Sequence, residues 1–190
     1  MVWQWDSPVA ALSSAPVGGG VSQPAWLINI GVHKEYSRMD LAEHAAEIAA
    51  EHRLVGDGMA LFTAANIESF QRGSCDGVVA HVTVGISKPT WAADPAGGYT
   101  LWSPGTINTV VQLPVGLEMS AAVNAVMTAT EAKTQALLEA SVPGTGTASD
   151  AVVIVWPVEA PTEPFGGPRS PWGARIAQAA HAAVQSGLPS

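Results

Sequence analysis

From Leu117 to Ala140 the chain carries neither glycine nor proline, although its 190 residues include 19 Gly and 14 Pro. This alanine-rich run, stopped by Pro143-Gly144, predicts a helix that is the longest element of the fold. The rest of the sequence is cut by Gly, Pro and Asp into short pieces. Apolar and β-branched runs near Val9–Ser14, Trp26–Val32, Met59–Ala64, Gly77–Ile86, Thr106–Leu113 and Asp150–Trp156 read as six strands. A second helix is expected over Leu41–Arg53, where Leu41, Ala45, Ile48 and Ala49 share one side and Asp40 with Glu43 is placed as a capping box. A third is expected over Pro171–Ser186, entered from a stiff surface loop holding Pro157, Pro161, Pro164, Pro168 and Pro171. Strands and helices do not alternate strictly, and three strand-like runs come almost together before the long helix. The expectation is therefore an α+β fold: a mixed β-sheet of about six strands packed with three or four helices, in a single domain over 1–190.

The formal net charge of −8, with no run of Lys or Arg, repels phosphate backbones and anionic headgroups, so no nucleic acid partner is expected. No positive residue precedes Lys34, and the longest apolar stretch, Ala151–Val158, is far too short to span a bilayer. A cytoplasmic protein with no membrane association is expected. The lone Cys75 excludes an intrachain disulfide. Charged residues are only 13% of the chain, which leaves neutral surface for a substrate cleft or for a subunit interface in a homo-oligomer.

Several segments carry polar residues where an element should be partly buried. Ser13-Ser14-Ala15-Pro16-Val17-Gly18-Gly19-Gly20 leaves a strand and is either a plain turn or a backbone that lets a ligand come close. Gly105-Thr106-Ile107-Asn108 opens a strand with Thr106 and Asn108 on one face, where an amide and a hydroxyl can stabilise an oxyanion or simply a turn. In the long helix, Thr130 stacks with Val126 and Thr134, and Glu131 with Met127 and Leu138, so a carboxylate shares a face with apolar residues. That pattern fits an active-site acid near Lys133, or a core threonine pair beside surface charges. Thr145, Thr147 and Asp150 punctuate the loop Gly144–Asp150, which joins helix to strand. This is the wrong order for a phosphate-binding turn, leaving a donor-rich substrate loop or a helix cap. The five histidines show no metal-binding spacing, Cys75 has nothing beside it to activate a thiol, and Trp91, Trp102 and Trp172 border loops where they can cover a large ring.

Taken with Thr-Ala-Ala at 63–65, Thr-Ala-Thr-Glu-Ala-Lys-Thr at 128–134 and Phe-Gly-Gly-Pro at 165–168, these motifs resemble, in order and spacing, those of the adenosylcobinamide amidohydrolases over most of the chain. The chain departs from that pattern at Lys88 of Ser87-Lys88-Pro89, at Arg169-Ser170 where His-Thr is usual, and at Ala174 where Glu is usual. The resemblance implies hydrolysis of the amide between aminopropanol and the corrin ring of adenosylcobinamide, giving adenosylcobyric acid. The corrinoid is then substrate, and no cofactor and no metal are expected. Physical inference assigns Glu131 as general base, Asn108 and Thr106 as oxyanion or orienting donors, Lys133 as electrostatic or acid partner, and Asp150 as their orienter. Ser13, Ser14, Gly19, Thr130, Thr145, Thr147 and Trp102 are expected to bind substrate. A rival route makes Thr106 or Thr130 a covalent nucleophile helped by Lys133. The alternatives in function are a corrinoid-binding protein without turnover and an amidase for another small amide. Ser14, Thr106, Asn108, Thr130, Glu131 and Asp150 are expected around one cavity.

Overall fold

The structure, a computed structural model, describes residues 1–95 and 105–189. Its strands are β1 (Val2–Gln4), β2 (Val9–Ser13), β3 (Gly20–Ser22), β4 (Trp26–Gly31), β5 (Gly58–Thr63), β6 (Gln71–Cys75), β7 (Val78–Val84), β8 (Ile107–Gln112), β9 (Gly116–Leu117), β10 (Ala151–Pro157) and β11 (Thr162–Glu163). The helices are α1 (Leu41–Glu51), α2 (Met119–Glu139) and α3 (Pro171–Gly187), with a single 3-10 turn at Ile67–Ser69. The α+β class, the mixed sheet and the three long helices thus agree with the sequence reading.

A six-stranded sheet runs β3-β2-β10-β8-β7-β6, and a separate three-stranded sheet runs β1-β4-β5. Within the large sheet only β8 and β10 pair in parallel, with Ala151 opposite Asn108, and α2 makes the crossover between them. In the small sheet β4 and β5 are parallel and α1 makes the crossover. Both are β-α-β units, in which a helix covers the face of the strands it joins.

The chain stacks as four layers. Val78, Ala80, Val82, Ile107, Val111, Val152, Ile154 and Trp156 face α2 and α3. The opposite face of the same sheet, through Ala11, Val110, Val153 and Val155, packs on Leu27, Met59 and Leu61 of the small sheet. The outer face of that sheet, with Trp26, Ile28, Ile30 and Ala60, is covered by Ala45 and Ala49 of α1. Strand β10 is buried on both faces, which is why its sequence is one continuous apolar run rather than an alternation. Burial of each of its large side chains contributes about 1.5–3 kcal/mol.

The long helix turns alanines inward: Ala121, Ala122, Ala125, Ala129, Ala132 and Ala136 are buried, and Ala179, Ala180 and Ala183 of α3 are buried in the same core. Small side chains permit that close approach, and Gly73 of β6 extends it, since a Cβ there would lie 2.1 Å from the carbonyl oxygen of Ala179. The proline-rich segment before α3 is mostly exposed and includes β11, and Ser170 caps α3 by accepting from the Gly173 amide at 3.0 Å. The capping box expected at α1 does not form. Asp40 makes no side-chain cap; its two carboxylate oxygens accept from Arg38 instead, at 3.0 and 2.7 Å. Among the described residues no helix is long and apolar enough to cross a membrane.

Candidate active site

Where the two sheets meet at one end, a cavity of about 950 Å³ opens. It is bordered by the residues after β2, β4 and β5 and by the first residues of β8 and β10, so sequence-distant segments meet because sheet pairing brings their ends together. Ser14, Thr63, Thr106, Asn108, Ser149 and Asp150 supply its polar lining. Val32, Tyr36, Met39, Leu41 and Phe62 supply much of the apolar wall, with Lys34, Glu35 and Arg38 also contributing.

The polar side is built by hydrogen bonds that leave little slack. Ser14 pairs with Val152 through its backbone amide, and its Oγ accepts from the Val152 amide at 3.0 Å. A hydroxyl that accepts from the backbone keeps its own hydrogen for a ligand. Thr106 Oγ lies 2.7 Å from Ser149 Oγ, and Ser149 also donates to the Gly105 carbonyl at 3.2 Å. Asp150 is held from every side. Its Oδ1 accepts from the Ile107 amide at 2.9 Å and contacts Thr147 Oγ at 2.5 Å; its Oδ2 accepts from Lys133 Nζ at 2.5 Å and from the Thr147 amide at 3.1 Å. Lys133 reaches Asp150 from α2 with only 7% of its side chain exposed, beneath Gly146. A Cβ at Gly146 would lie 2.3 Å from Asp150 Oδ2 and 2.6 Å from Lys133 Nζ, so this glycine is needed for the pair to close.

A chain of amides ties the two sheets together beneath the cavity. Asn108 Nδ2 donates to Asn29 Oδ1 at 2.9 Å and to the Phe62 carbonyl at 3.0 Å, and Asn29 Nδ2 donates to Thr83 Oγ at 3.1 Å. On the apolar side, Tyr36 stacks on Phe62 and on His44, and its hydroxyl lies 2.7 Å from His44 Nδ1. Burial raises the Tyr36 phenol above its ordinary pKa. The segment 32–40 is also clasped to α1 by Arg38, which reaches Glu47 at 2.7 Å as well as Asp40. Hydrogen bonds from Arg38 push Asp40 down to about 2 and lower Glu47.

Of the residues singled out in the sequence, Ser14, Thr106, Asn108 and Asp150 border this cavity. Lys133 and Thr147 connect to it through Asp150. Thr145 instead ties its loop to Thr90 and the Ala92 amide, Ser13 accepts from the Ala15 amide within a turn, and Gly19 packs against the Ala15 carbonyl in that turn. Thr130 and Glu131 do not join the cavity. Both are exposed on α2, and the Thr130 hydroxyl donates to the Val126 carbonyl of its own helix. The apolar residues aligned with Glu131 are themselves exposed, Met127 by 53% and Leu138 by 49%, so sharing their face does not mean burial. Asn108, expected as an oxyanion donor, spends both amide hydrogens inside the protein. Trp102 lies outside the described residues.

The sequence reading assigned no role to Thr63, Ser149, Tyr36 or Phe62. Thr63 opens the Thr-Ala-Ala motif and Ser149 lies in the loop Gly144–Asp150; the other two carry no pattern separating them from ordinary core aromatics. Among the described residues no three His, Cys, Asp or Glu side chains group as a metal centre.

The chain is similar along 96% of its length to a solved protein of Pyrococcus horikoshii, with a TM-score of 0.55 and 13% identity over 73% of that chain, a likeness of fold. It is 27% identical over 184 residues to an adenosylcobinamide amidohydrolase of Methanosarcina mazei, covering 92% of this chain and 88% of that one. A protein of the same name from Halobacterium salinarum is 35% identical over 140 residues, 70% of this chain and 60% of its own. The sequence profile of the CbiZ, or adenosylcobinamide amidohydrolase, family matches residues 1–190, and the chain belongs to that family.

Proposed function

We propose that this protein hydrolyses the amide bond joining aminopropanol to the corrin ring of adenosylcobinamide, releasing adenosylcobyric acid, and that the reaction takes place in the cavity between the two sheets. The observation that carries the reading is the convergence of Ser14, Thr106, Asn108 and Asp150, from three distant parts of the chain, on one cavity whose other wall is apolar and aromatic. A corrin edge is apolar and carries polar amide side chains, which matches that division. At about 950 Å³ the space lies at the upper end of the ~300–1,000 Å³ common for small-molecule sites, and suits the amide-bearing edge rather than the whole corrinoid.

The Ser14 hydroxyl is the proposed donor to the carbonyl oxygen as it becomes an oxyanion, while Thr106 gives its hydrogen to Ser149 and keeps that part of the lining in place. Asp150, with both oxygens engaged by protein donors, orients the start of β8 and the Thr147 loop rather than taking a proton from water. Lys133 supplies the buried positive charge that keeps this carboxylate in place. The corrinoid is substrate, and the proposal calls for no cofactor. Lys88, Arg169 and Ala174, where the chain departs from the family pattern, do not border the cavity, so these departures do not favour a binding protein without turnover.

The test is release of aminopropanol from adenosylcobinamide by purified protein. Ser14→Ala should lower kcat at least about tenfold with the fold intact, the loss expected for one donor to a developing charge. Binding of the corrinoid without any release would replace this reading with a carrier function.

A further inference from the structure

The amide network beneath the cavity fixes what Asn108 can offer a ligand. A backbone carbonyl only accepts, so the Asn108 atom 3.0 Å from the Phe62 oxygen must be the nitrogen. That nitrogen has two hydrogens, and the second goes to Asn29 at 2.9 Å, so the Asn29 atom facing it must be oxygen. The Asn29 nitrogen is thereby turned to Thr83 Oγ, at 3.1 Å. Each step follows from donor and acceptor inventory, and one carbonyl settles the orientation of both side-chain amides. Asn108 is left with Oδ1, an acceptor, as the amide atom not spent in this chain.

Accepting and donating are opposite roles toward an amide substrate. A secondary amide has one acceptor, its carbonyl oxygen, and one donor, its N–H. We propose that Asn108 Oδ1 accepts the N–H of the amide to be cut, and that Asn29 is the positioning residue that keeps Asn108 in this orientation. The inference rests on the proposed amide substrate. Asn29 is 2% exposed and does not border the cavity, so it acts through Asn108 alone. The site then selects a secondary amide over the ester of the same shape, because an ester oxygen in place of N–H sets two acceptors against each other. Sites built around a substrate N–H or O–H reject analogues lacking it strongly, since a buried polar atom is left unpaired.

The experiment compares adenosylcobinamide with the analogue in which the aminopropanol nitrogen is replaced by oxygen. Affinity is read from the corrin absorbance on rapid mixing, within a time shorter than one turnover, so that neither compound is consumed. The wild-type protein should bind the amide at least about tenfold more tightly, the ratio for a hydrogen bond worth about 1.4 kcal/mol. Asn29→Leu, which removes the acceptor facing Asn108, should shrink the ratio to about twofold or less, and Asn29→Asp, which keeps an oxygen there, should restore it. Equal affinity for ester and amide in the wild type, or an undiminished ratio in folded Asn29→Leu, overturns the proposal.

Side-chain amide exchange by NMR gives a reading that needs no variant. Both Asn108 Nδ2 hydrogens should be protected in the free protein and stay so when the corrinoid binds. An Nδ2 hydrogen that exchanges freely until the corrinoid binds marks Asn108 as a donor and equally ends the proposal. A protein that discriminates amide from ester but releases no aminopropanol keeps the Asn108 assignment and loses the hydrolytic reading.

Discussion

Glu131 shows how a helical-wheel argument can be right about alignment and wrong about direction. The sequence correctly puts Glu131 in line with Met127 and Leu138, but α2 buries its alanines and leaves those larger residues exposed. Alanine wins the inward positions because α3 packs so closely that longer side chains do not fit. Glu131→Gln should therefore leave aminopropanol release within about twofold of wild type and change stability by no more than ~0.5 kcal/mol, as for other exposed substitutions. A hundredfold loss in a folded variant would return Glu131 to the mechanism. Lys133, two residues on, should behave differently because it is buried against Asp150. Lys133→Met strands a carboxylate and should cost about 3–5 kcal/mol in denaturant unfolding, whereas the double variant Lys133→Met/Asp150→Asn, which removes both charges, should cost less. Additive losses would show that the pair is not coupled. The importance of Asp150 was legible as a carboxylate closing a hydroxyl-rich loop, and two of its four protein contacts come from Thr147 of that same loop; those from Ile107 and Lys133 were not legible, because β8 and α2 reach Asp150 only through the packing of the fold.

Elements with a strong period or a long uninterrupted run were legible, and short exposed ones were not. The six strand-like runs correspond to β2, β4, β5, β7, β8 and β10, within one or two residues at most of their ends. Strands β1, β3 and β11 are two or three residues long with no buried position, and β6 is largely polar, so none leaves an apolar signature. The segment 32–40 is likewise silent as sequence, yet as structure it forms a side of the cavity held by the Arg38 clasp. Asp40 and Glu47 both have folded pKa values below their ordinary ones, so the clasp contributes in full above about pH 4.5 and is lost as the pH falls toward about 2. Pepsin, which works across that range, should cut within 32–40 increasingly as the pH drops, and should cut Arg38→Ala there already at about pH 4. Equal cleavage of the two proteins at that pH would mean that the clasp does not hold the segment.

At the scale of the whole molecule, the sequence implied one mixed sheet of about six strands, and a six-stranded sheet is present, but not built from the six strands it marked. β4 and β5 leave to form their own sheet, and β3 and β6 take places at the edges of the large one. Nothing in the local pattern distinguishes a strand of one layer from a strand of the next, because both are apolar on two faces; the partition is set by which β-α-β unit each belongs to. The site inherits this division, with Asn29, Phe62 and Thr63 on one layer and Thr83, Thr106, Asn108 and Asp150 on the other or at its ends. A molecule lodged between two slabs is mortar as well as cargo: it binds only when the slabs are together, and so opposes their parting. At a hundred times its dissociation constant such a ligand adds about 2.7 kcal/mol to the docked state. Bound corrinoid should therefore slow hydrogen exchange along β4 and β5 out to Trp26 and Gly58, at the ends of those strands remote from the cavity. Protection confined to Gly31, Thr63 and their immediate neighbours would show that the layers do not separate as units.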